Sequence, residues 1–127
     1  MDEQMFKRRT KQLALRVIRL VEALPNRTST RTIGKQLLRA ATSVGANYRA
    51  ACRGKSIADV ACKLATVEEE ADETLYWLEL LAESGILPAD KLKDLIAEVN
   101  EIVAMTVASI KTLRSRQASS EAPKSKI

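Results

Sequence analysis

The stretch from Thr42 to Leu81 reads TSVGANYRAACRGKSIADVACKLATVEEEADETLYWLELL. It divides at Arg53-Gly54-Lys55-Ser56 into two apolar-periodic segments, which predicts two helices folded back through a tight turn. Gly54 is suited to end the first helix in a left-handed conformation. Ser56-Ile57-Ala58-Asp59 has the spacing of a capping box, with Asp in place of Glu. On the first segment Ile33, Leu37, Ala40, Val44, Asn47 and Ala51 step four and three residues apart, as a bundle seam does. On the second the same stepping gives Ile57, Ala61, Leu64, Glu68, Ala71, Leu75, Leu78 and Ala82.

Upstream, a helix is expected from about Met5 to Leu24, closed by Pro25-Asn26, with Phe6, Leu13, Val17, Leu20, Val21 and Leu24 on one side. Ser29 or Thr30 can accept from a free N–H at the start of the next helix. Downstream, Pro88 suits the first turn of a fourth helix whose apolar face runs from Leu92 to Leu113. Periodicity fades after Arg116. Residues 1–116 therefore read as one bundle domain, and 117–127, rich in Ser, Lys and Ala, as a disordered polar tail. The fold class is all-α. Four long helices with short connections predict an antiparallel up-down-up-down four-helix bundle.

The chain of 127 residues carries a net charge of +5, unevenly spread. Residues 1–63 hold fourteen Lys/Arg against four Asp/Glu, and residues 64–127 hold seven against twelve. Such halves can neutralise each other within or between chains, and the basic one can attract phosphate. Lys7, Arg8, Arg9, Lys11, Arg16 and Arg19 on the first helix are the candidate nucleic-acid contacts, through backbone phosphates and without sequence selectivity. No aromatic interleaves them, so base stacking is not indicated.

Leu15 and Ile18 fall outside the apolar side of the first helix, and Tyr76, Trp77 and Leu80 fall off the seam of the third; together they form a candidate apolar subunit interface. Asn47 and Glu68 interrupt the seams and read as buried polar positions of a structural network that fixes register; they can meet each other, with Ser43 and Arg39 as competing partners, since a buried carboxylate needs donors to stay charged.

Catalytic chemistry finds no foothold. There is no His, which removes Cys/His and Ser/His pairs and the di-metal ligand set of helical bundles. Gly54-Lys55-Ser56 imitates the end of a P-loop, but Arg49 stands where the motif needs Gly and no strand precedes it. Glu68, Glu69, Glu70, Asp72 and Glu73 point in successive directions around a helix, so a solvated or ion-paired face outweighs an all-carboxylate cation site. Cofactors and metals are expected to be none. Cys52 and Cys62 read as reduced, small packing residues. Arg16 and Arg19 interrupt what would otherwise be a signal-peptide core, and no apolar run spans a bilayer. A cytoplasmic, non-membrane protein is expected.

Ser43-Val44, Ala46-Asn47-Tyr48-Arg49, Gly54-Lys55-Ser56, Asp59, Glu69, Glu73-Thr74, Tyr76-Trp77-Leu78 and Leu80-Leu81 occur in order. This pattern resembles the bacterial four-helix bundle proteins, also called the 23S rRNA intervening-sequence protein family, over most of residues 5–115. Ala50 and Val60 depart from it, standing where many members carry an acidic and an aromatic residue. The resemblance implies a left-handed bundle and assembly into a homo-oligomeric ring, a homopentamer being the best-known form. It is distantly similar to the accessory proteins of diversity-generating retroelements, which implies RNA or DNA, and a reverse transcriptase, as partners. It implies no enzymatic activity. The resulting expectation is a non-enzymatic ring that binds nucleic acid through its basic surface; the alternative is a protein-interaction scaffold that does not.

Overall fold

The structure, a computed structural model, describes residues 2–121. Four helices account for nearly all of it: α1 (Glu3–Glu22), α2 (Thr28–Cys52), α3 (Ile57–Glu83) and α4 (Ala89–Glu121). There is no strand among the described residues. Each helix packs on the next in sequence, and α1 also touches α4, though sparingly; α1 and α3 do not pack together, nor do α2 and α4.

Local chemistry sets the ends of the helices. Asp2 accepts from the Gln4 N–H at 3.0 Å and starts α1. Ser56 accepts from the Asp59 N–H, and Asp59 in return accepts from the Lys55 N–H, both at 3.0 Å. The return bond goes to the N–H just before the cap rather than to that of Ser56, and Gly54-Lys55-Ser56 is a turn and cap between helices. Lys63 at 2.8 Å and the Lys55 N–H hold the Asp59 carboxyl below its ordinary range. α2 has no comparable device: it begins at Thr28 behind an N-cap Arg27 that makes no side-chain bond, so Ser29 and Thr30 lie inside the helix rather than capping it.

Two expectations about glycine and the C-terminus change. Gly54 is not left-handed; Gly85, which follows the C-cap of α3, takes that role at φ 76°. Gly54 is needed for space instead, since a Cβ there would collide with the Val60 side chain. α4 continues as helix to Glu121, five residues past Arg116. The rest of the expected tail, 122–127, lies outside the described residues.

The core draws on all four helices: Phe6, Leu13 and Val17; Leu37, Val44 and Tyr48; Leu64, Val67, Leu78 and Leu81; Leu92, Val99 and Ile102. Phe6 stacks against Tyr48 with centroids 4.2 Å apart. The small residues of α2 let α1 approach closely, and a Cβ on Gly45 would already sit 3.3 Å from Thr10 Oγ1.

The two polar positions expected to be buried are not. Asn47 and Glu68 are only half-buried, and Asn47 donates to its own helix at Ser43 O, 2.8 Å away. Their neighbours Tyr48 and Val67 face the core instead. The buried polar positions are Thr10, Thr30, Thr74 and Thr106. Three of these satisfy themselves within their helix: Thr10 donates to Phe6 O, Thr74 to Glu70 O and Thr106 to Ile102 O. A hydroxyl that bonds back one turn hides its polarity from the core, so no charge has to be buried there.

Candidate nucleic-acid interface

A groove of about 470 Å³ runs between the first half of α1 and the second half of α2. Its cationic lining is Lys7, Arg8 and Lys11 from α1 and Arg49 from α2, with no carboxylate among the lining residues. Thr42, Gly45 and Ala46 form its floor on α2. Small side chains there leave the cations standing above the helix junction. Arg8, Lys11 and Arg49 are exposed and have no acidic partner among the described residues. Lys7 is loosely paired with Glu3 at 3.7 Å. The sequence accounts for this electrostatics: between Glu22 and Asp59 it has no acidic residue and seven Lys/Arg.

Arg9 does not belong to this group. Its guanidinium grips Glu98 of α4 with two bonds, Nε to Oε2 at 2.9 Å and Nη2 to Oε1 at 2.7 Å, and reaches Glu101 at 3.2 Å. Glu98, then Glu101, push its pKa above the ordinary arginine value. Arg9 is thus a tie across the sparsely packed α1–α4 seam. Arg16, half-buried, follows it seven residues later on the same flank. Arg19, exposed, stands three turns beyond Arg8 on the outer side. The six predicted contacts therefore divide: Lys7, Arg8 and Lys11 meet in the groove, while Arg9, Arg16 and Arg19 do not line it. Arg49 was missed because it arrives from another helix; the acid-free run around it was the available signal.

Arg39 repeats the Arg9 arrangement on the other side of α2. It bonds Glu70 at 2.9 Å and pairs with Glu73, both on α3. Two members of the carboxylate cluster thereby share one arginine as their partner. Among the described residues no three His, Cys, Asp or Glu side chains converge as a metal site.

The predicted apolar interface also divides. Leu15 and Ile18 are each 39% exposed on α1, and Tyr76 is 52% exposed on α3. Leu80 is half-buried. Trp77 is half-buried too, packs against the core and meets Tyr76 edge-on at 5.0 Å, and its buried Nε1 has no acceptor. Because α1 and α3 do not pack together, these are two patches on different helices rather than one.

A wider cleft, about 650 Å³, opens where Met5, Tyr48, Cys52, Val60, Met105 and Leu113 approach. Burial pushes both the Tyr48 hydroxyl and the Cys52 thiol up, so neither is an activated nucleophile. Cys62 is exposed, contrary to a packing role.

Residues 3–108 match the family described as 23S rRNA-intervening sequence protein. The chain belongs to that family. No curated protein matches it significantly. A crystal structure of a protein of unknown function from the S23 ribosomal protein family, from Bacteroides thetaiotaomicron, is similar at 33% identity and a TM-score of 0.81. The match covers 87% of this family member and 99% of that chain. No helix among the described residues is long and apolar enough to cross a membrane.

Proposed function

We propose that this protein is a non-enzymatic, cytoplasmic, homo-oligomeric binder of nucleic-acid phosphate, acting through the groove of Lys7, Arg8, Lys11 and Arg49. The observation that carries the reading is that four cations from two helices share one groove with no carboxylate among its lining residues. Each phosphate neutralised releases condensed counterions, which drives binding and makes it fall steeply with salt. The test is retention of RNA or DNA by the purified protein at low ionic strength. Release as salt rises supports the reading, and no binding of either overturns it.

The fold is read as an antiparallel, left-handed bundle. The antiparallel part is supported by Phe6, near the start of α1, stacking on Tyr48, near the end of α2. Assembly is read as a ring, the pentamer implied by the family resemblance. Leu15 and Ile18 lie on one helix and Tyr76 and Leu80 on another that it does not touch. Two different patches favour head-to-tail contact, which closes into a ring where the rotation permits. Ile18→Glu and Tyr76→Glu should each lower the mass in light scattering while helicity is kept. A wild type that is monomeric would refute the ring.

A protein-interaction scaffold is the second reading, favoured by the way Arg9 and Arg39 are already neutralised by α4 and α3. Such a scaffold would capture one protein, a reverse transcriptase being the example from the family's distant kin, whether or not nuclease is present.

A further inference from the structure

The groove is one end of a longer feature. Arg31, Lys35, Thr42, Arg49 and Arg53 of α2 and its C-cap are all exposed. They follow one another at offsets of 4, 11, 18 and 22 residues from Arg31. Each offset is close to a whole number of helical turns, so all five stand on one outer face. Arg39 is the α2 cation turned aside, to α3. From Arg31 to Arg53 this face is about 33 Å long at the α-helical rise. It carries no acid, because none occurs between Glu22 and Asp59. Of the patches assigned above to subunit contact, Leu15 and Ile18 stand seven residues after Arg8 and Lys11 on the same flank of α1, and Tyr76 is on α3.

The four aromatic side chains are unavailable to it. Phe6 and Tyr48 are buried against each other, and Tyr76 and Trp77 are on α3. Single-strand binders gain about 1–3 kcal/mol per base from aromatic platforms. A surface without them draws its affinity from charge alone, and so favours the ligand with the higher linear charge density. That ligand is a duplex, with one charge per roughly 1.7 Å and a salt slope near 0.9 per phosphate against about 0.7 for a single strand. A duplex is also already stiff, so a straight helix with cations fixed at both ends does not have to order it.

We infer that the ligand of this surface is double-helical nucleic acid lying along the outer face of α2, spanning about one duplex turn from the Lys7–Arg8–Lys11–Arg49 groove to Arg31 and Lys35. The inference rests on the phosphate-binding reading and deepens it. RNA and DNA duplexes share the chemistry, and the two sugars are compared in separate arms.

The experiment is fluorescence anisotropy on the full chain with a labelled 12-base-pair duplex and the matching 12-nucleotide single strand, in RNA and in DNA, over a salt series. Within at least one sugar the duplex is expected to bind at least tenfold tighter and with the steeper slope. Arg31→Gln/Lys35→Gln, remote from the groove, should weaken duplex binding several-fold and reduce the slope by about 1.8, two phosphates' worth. Both positions are exposed, and circular dichroism checks that the variant keeps its helicity. A single strand bound as tightly as duplex in both sugars overturns the inference and leaves phosphate binding standing. So does an unchanged duplex affinity in the folded double variant. No binding of any of the four ligands overturns the inference and the phosphate-binding reading together.

Discussion

Replacing Arg9 by Met should destabilise the fold and leave nucleic-acid affinity nearly intact, the opposite of replacing Arg8. The Arg9 and Glu98 side chains are 25% and 19% exposed and are joined by two bonds of 2.9 and 2.7 Å. A fully exposed pair would contribute less than about 1 kcal/mol. A well-buried pair broken on one side would cost about 3–5 kcal/mol. The partial burial here lies between, and the Glu98 carboxylate left behind loses its donors, so about 2 kcal/mol is expected. For a chain of this length that corresponds to a fall in Tm of about 8 °C. Urea unfolding followed by circular dichroism, at fixed protein concentration, measures it. A cycle with Glu98→Gln should return a coupling of about 1 kcal/mol or more. If Arg9→Met leaves the urea midpoint unchanged and weakens nucleic-acid binding as much as Arg8→Met does, the division of the basic residues into structural and ligand-binding sets is wrong.

Ser56→Ala should cost about 1 kcal/mol by removing the acceptor of the Asp59 N–H. The Asp59 carboxyl has its pKa lowered in the fold, so its contribution is complete above its ordinary 3.8 and fades as pH falls below that value; acid titration of the wild type and of Asp59→Asn should converge at low pH. Gly54→Ala should destabilise by about 1–3 kcal/mol through overpacking against Val60, and Gly54→Ala/Val60→Ala should recover part of it. Gly85→Ala meets no neighbour, so its cost, about 1 kcal/mol, should come from the positive φ and resist rescue by any neighbouring truncation. Maleimide should label Cys62 first, with Cys52 lagging, because Cys52 is half-buried with its thiol pKa raised; equal rates would mean that the α2 end opens freely.

Much of the fold was legible because the chain marks its own breaks. Pro25, the Gly54-Lys55-Ser56 turn and Gly85 with Pro88 bound four apolar-periodic segments, and the helices begin and end within a few residues of them. Register was less legible. On α3 the expected and the observed stripes both step by three and four, and from Leu64 they differ by one residue at every other position, a small rotation that the pattern of one helix leaves open. On α3 the core takes Ala61, Leu64, Val67, Ala71, Thr74, Leu78 and Leu81. The stepping instead placed Glu68, Leu75 and Ala82 inward. On α2 the same slip put Asn47 where Tyr48 sits, because a phenol looks less apolar than its packing against Phe6 makes it.

The binding surface was half visible. A single helical wheel groups Arg8 with Arg9, and only the position of Glu98, eighty-nine residues away, separates them. Arg49 joins the groove through the α1–α2 packing, which no pattern within one helix reveals. Leu15, Ile18 and Tyr76 were readable as outward-facing from their offset to the seams. Trp77 was not, since a side chain that large reaches the core from the seam's edge.

Charge reversal in the groove tests the central claim most directly. Arg8→Glu/Lys11→Glu/Arg49→Glu changes exposed side chains with no acidic partner among the described residues, so the fold should hold. Anisotropy titration with nucleic acid at about 100 mM salt should show affinity reduced at least tenfold, with the salt slope smaller by about 2.7 for three lost phosphate contacts. A folded triple variant that binds with wild-type affinity and slope would contradict the account.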